Sequence, residues 1–181
     1  MPEADSRGAI LVAIAREAIA AADDHAVPLR LDEPWLREPG ASFVTLKIED
    51  ELRGCIGTLE AHRPLGVDVA YNGHAAAYRD PRFPPVSAVE VERLQVEVSV
   101  LSPRQPMGVR TEAEALQQLR PGVDGVLLEF QSLRATFLPQ VWDSLPEPAQ
   151  FMGELRRKAG LPAGFWHPDV KLYRYTVEKY R

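Results

Sequence analysis

A chain of 181 residues, 45% apolar and 26% charged, carries enough apolar side chain for one compact core and too much of it for wholesale disorder. Its formal net charge of -5, with Lys and Arg scattered along the chain, argues against a general nucleic-acid binder, because neutralising phosphates takes a basic patch. The single cysteine excludes an intramolecular disulfide and a Cys-rich zinc or iron–sulfur site, which fits a reducing, cytoplasmic setting.

Ser6 is a candidate N-cap, and Ile10, Ala13, Ile14, Glu17 and Ala21 follow at helical spacing. The first predicted element is therefore an amphipathic helix ending near Asp23 and Asp24. Its apolar run, 9–15, is too short for a bilayer and is interrupted by Arg16 and Glu17, so neither a signal segment nor a membrane span is expected. Prolines and charges over 28–40 predict an irregular connection.

Segments 43–48 and 52–58 are rich in β-branched and apolar residues and flank the polar Glu49-Asp50-Glu51, the pattern of a hairpin. Strict alternation sets Arg53, Cys55 and Gly57 on one face, and Leu52, Gly54, Ile56 and Thr58 on the other. A helix over 65–78 follows, its alanines allowing close packing, and Asp80-Pro81 stops it. Alternation of Val96, Val98 and Val100 with Gln95, Glu97 and Ser99 predicts a half-buried strand over 94–101. Thr111 and Glu114 read as a capping box opening a short helix through Leu119, closed by Pro121-Gly122. A second hairpin is predicted from 125–130 and 133–138 around Gln131-Ser132, then a helix over 148–158 closed by Gly160, then an extended segment over 170–180. This mixed order, with hairpins in place of regular strand–helix–strand repeats, predicts an α+β fold with a mainly antiparallel sheet, in a single domain over residues 1–181.

Cys55, with Arg53 two residues before it and Gly54 and Gly57 flanking it, carries the chemistry most open to interpretation. A guanidinium on the same face can stabilise a thiolate, and glycines let a ligand approach the backbone. The same pattern also describes a small packed thiol beside a strand irregularity. Of the four histidines, His74 lies in the helix leading to Asp80, so Cys55, His74 and Asp80 make a formal thiol–imidazole–carboxylate set; such sets are diagnosed by geometry and not by order, and a capping histidine fits as well.

The block Asp80-Pro81-Arg82-Phe83-Pro84-Pro85 is stiffened by proline, which also raises the chance of a cis peptide after Phe83. It either presents Asp80 and Arg82 to a ligand or uses them to lock the loop against the sheet. Gly122 to Val126 lacks the spacing of a phosphate loop, and no His-x-x-x-His or Glu-x-x-His pair suggests a metal site. Trp35, Trp142, Trp166, Tyr173 and Tyr175 could line a stacking surface, though core packing is the commoner use of such residues.

Leu52-Arg53-Gly54-Cys55-Ile56-Gly57-Thr58, followed by the 80–85 block and by Val96-Glu97-Val98-Ser99-Val100-Leu101, resembles the AMMECR domain family. Gly122 to Val126, Thr136 to Trp142 and Tyr173 to Lys179 resemble its bacterial branch, AmmeMemoRadiSam system protein A. The resemblance implies an α+β domain with a larger and a smaller lobe, and it supplies no reaction. It also implies two candidate partners, a Memo-type protein similar to metal-dependent extradiol dioxygenases and a radical S-adenosylmethionine (radical SAM) protein. The resulting expectation is a small-molecule cleft in which Cys55, His74 and Asp80 are catalytic and Arg53, Gly54, Gly57 and Arg82 bind substrate, without metal or cofactor. The alternative is a non-enzymatic module that docks one of those partners.

Overall fold

A computed structural model describes residues 2–21 and 31–181. The chain folds as two compact units, Met1–Leu101 with Glu178–Arg181, and Ser102–Val177.

In the first unit, helix α1 (Pro2–Ala20) begins before Ser6, so Ser6 lies inside the helix and does not cap it. The predicted helix end near Asp23 and Asp24 falls outside the described residues. Strand β1 (Pro39–Ile48) is paired on one side with β2 (Glu51–Gly57) and on the other with β4 (Gln95–Leu101), both antiparallel. A short strand β3 (Arg63–Pro64) also pairs with β1, and β9 (Val177–Tyr180) flanks β4, which leaves β2 at the edge of the sheet. The β1–β2 turn is made by Glu49 and Asp50, both at positive φ (54° and 65°), the two-residue geometry whose twist matches a hairpin even without glycine.

Val44, Leu46, Val96 and Val98 belong to the core of this unit, which Leu11 and Ile14 of α1 and Val69 and Ala76 of α2 (Leu65–Tyr78) complete. Burying such aliphatic side chains is worth roughly 1.5–3 kcal/mol each. The small residues of α2 set how closely the helices approach: a Cβ on Gly73 would sit 3.1 Å from the Ala15 carbonyl oxygen of α1. A single-turn helix, α3 (Ala88–Val91), links α2 to β4 and is too short to show a period in the sequence.

The second unit has the sheet order β5-β8-β6-β7, formed by β5 (Gln105–Pro106), β6 (Gly125–Phe130), β7 (Leu133–Phe137) and β8 (Lys171–Tyr175). Helix α4 (Glu112–Gln118) opens with the predicted Thr111/Glu114 capping box, and α5 (Pro148–Lys158) is followed by Gly160 at φ 87°. Phe151 of α5 stacks on Trp142 with ring centroids 3.8 Å apart, and the Trp142 indole N–H donates to the Asp124 carbonyl at 2.7 Å. Trp142 and Tyr175 are buried and Trp166 packs on this core, so these aromatics do not make an exposed stacking surface. Asp124 is fully buried and takes both the backbone and the guanidinium of Arg120, which makes the 122–126 loop a structural lock.

The α+β class with antiparallel pairing is as the sequence predicts. Among the described residues no peptide bond is cis, the one after Phe83 included, and no helix is long and apolar enough to cross a membrane.

Candidate functional site

The edge position of β2 decides what surrounds Cys55. Cross-strand partners share a face, and Cys55 faces Thr45 of β1, whose own partner on β4 is Glu97. Thiol, hydroxyl and carboxylate therefore form a row on the sheet face away from the helices. The half-buried Cys55 Sγ lies 3.4 Å from Thr45 Oγ1.

In that register Leu46 pairs with Gly54 but Lys47 pairs with Leu52, so Arg53 is an extra residue in a β-bulge. The bulge corrects the expected alternation: Leu52, partnered with Lys47, comes to the Cys55 face and does not share the face of Gly54. It also redirects Arg53. The Arg53 guanidinium grips Glu90 of α3 with two hydrogen bonds, Nε to Oε1 at 2.8 Å and Nη2 to Oε2 at 3.2 Å. Nη2 donates as well to the Pro85 carbonyl at 3.4 Å. Hydrogen bonds from Arg53, and then from the Ser87 backbone and hydroxyl, hold the Glu90 carboxyl down at about 2. Arg53 thus ties β2 to α3, and the guanidinium that lies beside Cys55 belongs to a different arginine.

That arginine is Arg82. The fully trans loop 80–85 begins with an Asp80 turn in which Oδ1 accepts the Arg82 N–H at 3.0 Å, and the Arg82 guanidinium folds back onto the same carboxylate, Nη2 to Oδ2 at 2.7 Å. Together the pair closes the open edge of β2 at Cys55. Asp80 Oδ2 accepts the Cys55 N–H at 2.9 Å, and Arg82 Nη2 donates to the Cys55 carbonyl at 3.2 Å, the two bonds a neighbouring strand would have made.

The electrostatics follow this geometry. The Arg82 hydrogen bond holds the Asp80 carboxyl far below the usual carboxylate range; burial opposes the shift, and the Cys55 and Arg82 backbone N–H groups add to it. The pKa of Arg82 is raised, first by its hydrogen bond to Asp80, and also by attraction to and hydrogen bonding with the Cys55 side chain. Arg82 is the cation at the thiol, and its side chain is 54% exposed.

The other predicted residues are placed differently from the expectation. His74 is buried in α2 with its ring 4.8 Å from that of Tyr78. Asp80 is committed to Arg82 and to the Cys55 peptide, so it does not serve as the carboxylate of an imidazole relay. Gly54 faces α2, where a Cβ would meet the Ala76 carbonyl oxygen at 2.1 Å, and Gly57 lies under the Phe43 ring, where a Cβ would meet ring carbons at 2.2 Å. The close approach both glycines permit is used by the chain itself, which corrects their assignment to a substrate.

A second polar cluster is one that the sequence reading misses. Asp68 of α2 is fully buried and accepts from the Ser42 N–H and hydroxyl, the Thr58 hydroxyl, the Asn72 amide and the Arg63 guanidinium, at 2.7–3.0 Å. The signal available was Asp68 and Asn72 one helical turn apart on an otherwise apolar helix. Five donors converge on this one carboxylate, so the cluster is a lock between α2, β1 and the end of β2. Among the described residues no group of three or more His, Cys, Asp or Glu side chains could hold a metal ion.

Residues 12–180 match the sequence profile of the family AMMECR1. The chain is 37% identical over 186 residues to a protein of Methanothermobacter thermautotrophicus, an alignment that covers 98% of this chain and 95% of that relative. It is 38% identical over 160 residues to a protein of Thermotoga maritima, covering 87% of this chain and 84% of the relative. Among solved structures it resembles the uncharacterized protein PH0010 from Pyrococcus horikoshii with a TM-score of 0.83 and 33% identity, over 97% of this chain and 91% of that one.

Proposed function

Since the chain belongs to the AMMECR1 family, and the names of the relatives compared above state no activity, we propose its function from the surroundings of Cys55: thiol chemistry on a small electrophilic molecule. The observation that carries this reading is the position of Arg82, pinned by Asp80, bonded to the Cys55 carbonyl and lying beside the Cys55 side chain. A guanidinium held in place beside a half-buried thiol is the kind of surrounding in which a cysteine acts as a nucleophile. In an addition the S–C bond forms, the π pair of the electrophile moves to its acceptor atom, and that atom takes up the equivalent of the proton lost by the thiol. Arg82 can also hold an anionic group of the substrate or the developing negative charge. Asp80 is a positioning residue here, because a carboxyl ionised so firmly neither donates nor accepts a proton near neutral pH.

The single cysteine makes the test clean. Iodoacetamide labelling at pH 7, read by intact mass, is to be compared for the native and the urea-unfolded chain. The reading expects native labelling at least as fast as unfolded, slowed about fivefold in Arg82→Gln. Protection of the native thiol until unfolding would overturn it.

A second reading, docking of a protein partner, is favoured by exposed Leu52 and Val89, which flank the Arg53–Glu90 ion pair, Val89 being 76% exposed. The partners suggested by resemblance to the AmmeMemoRadiSam system protein A branch are a Memo-type protein and a radical SAM protein. Co-purification of either with the native chain, lost on Val89→Asp, tests that reading.

A further inference from the structure

We propose that a cavity in the first unit, between α1, the 3-10 turn Pro34–Leu36 and β9, binds a small organic cation through the indole face of Trp35 and the carboxylates of Glu33 and Glu178. The site is independent of Cys55 and shares none of its residues.

The local sequence builds it from three directions. Leu36 is fully buried and anchors the 3-10 turn, with the Leu36 N–H donating to the Glu33 carbonyl at 3.1 Å, which leaves Trp35 half-exposed at the cavity wall. On β9, Glu178 and Tyr180 are two residues apart and so project to the same side. Tyr180 is held against α1, because Gly8 leaves room for its ring; a Cβ there would lie 2.8 Å from Tyr180 Cδ1. Its hydroxyl donates to Glu178 Oε2 at 2.6 Å and so orients that carboxylate.

The cavity, about 550 Å³, is large enough for a ligand of several heavy atoms. Among the described residues the lining holds two carboxylates, Glu33 and Glu178, and one guanidinium, Arg7, which leaves one negative charge over. Arg7 also shows what the aromatic wall accepts: its Cζ lies 4.5 Å from the Trp35 ring centroid, the geometry of a cation on a π face. A guanidinium or alkylammonium group that takes the place of Arg7 on the ring would meet the same quadrupole and both carboxylates. An anion would meet two like charges.

Isothermal titration of the full chain at low ionic strength, with methylguanidinium and choline as probes, tests the assignment. Binding of at least one probe is expected, weakened about threefold in Glu33→Gln and in Glu178→Gln and lost in Trp35→Leu. Arg7→Gln removes the resident cation, and about fivefold tighter binding is expected. Glu33 and Arg7 are exposed, so their variants keep the fold, as circular dichroism would verify. The proposal fails if neither probe binds the wild type or Arg7→Gln at millimolar concentration. It fails equally if binding is indifferent to all four substitutions.

Discussion

Asp80 reaches Cys55 through the backbone and not through the thiol: its Oδ2 takes the Cys55 N–H at 2.9 Å while the same carboxylate holds Arg82. An edge strand exposes a row of unpaired peptide groups that invites pairing with other chains. Here two side chains of one loop stand in for the missing strand at the peptide that carries the thiol. Structure and proposed chemistry thus share one element, and they separate under mutation.

Asp80→Ala should destabilise the chain by roughly 2 kcal/mol, since it strands the Cys55 N–H and releases Arg82. Arg82→Gln keeps Asp80 as the acceptor for Cys55 and should cost about 1 kcal/mol or less, its partner bond being half-exposed. Urea unfolding of the two variants checks the order. Equal losses would show that the peptide bond to Asp80 contributes nothing beyond the ion pair.

Acid should act through the same loop and through α3. Asp80 and Glu90 both have folded pKa values below their unfolded ones, so the unfolded chain takes up protons first as pH falls. Their contribution is fully present above the ordinary carboxylate pKa of about 4 and is lost as pH drops toward 2. Thermal melts from pH 6 to 2.5 should fall across that window, and Glu90→Gln should flatten the fall. An unchanged slope in Glu90→Gln would remove the Arg53–Glu90 pair from the account.

The strands, helices and hairpins that follow regular periods are legible in the chain, down to the Thr111/Glu114 cap and the Gln131 turn, because each rests on local pattern. Arg53 escapes that reading because a bulge has no period: one unpaired residue moves its guanidinium from the thiol to Glu90 and brings Leu52 to the Cys55 face. Arg82, though it lies in a block that the sequence singles out, reaches Cys55 only through the long-range pairing of loop and strand. Asp68 stays hidden for a related reason. Its partners Ser42 and Thr58 lie 26 and 10 residues away and meet it only once β1 and β2 are paired.

Asp68→Asn should be among the most damaging single changes in the first unit. It removes the charge that answers Arg63 and turns an amide N–H toward groups that are themselves donors, at a cost of about 3–5 kcal/mol. Arg63→Ala leaves the four other donors in place and should cost less than half as much. Urea denaturation of both variants measures the ratio, and a milder effect for Asp68→Asn than for Arg63→Ala would contradict the lock.

Gly54 and Gly57 flank Cys55 in sequence but differ in what an added methyl would strike, and the difference predicts opposite responses to relief. At Gly54 the obstacle is the Ala76 backbone of α2, which cannot give way, so Gly54→Ala should cost about 3 kcal/mol whatever else is changed. At Gly57 the obstacle is the Phe43 side chain, so Gly57→Ala should also destabilise, but by less when Phe43 is Ala than when it is Phe. A double-mutant cycle on Gly57 and Phe43 should give a coupling of about 1 kcal/mol or more, and the same cycle on Gly54 and Phe43 a coupling near zero. If the thiol lies open to reagents as proposed, Gly57→Ala in the Phe43→Ala background should fold and keep its Cys55 labelling rate, since the methyl then occupies space the ring has left.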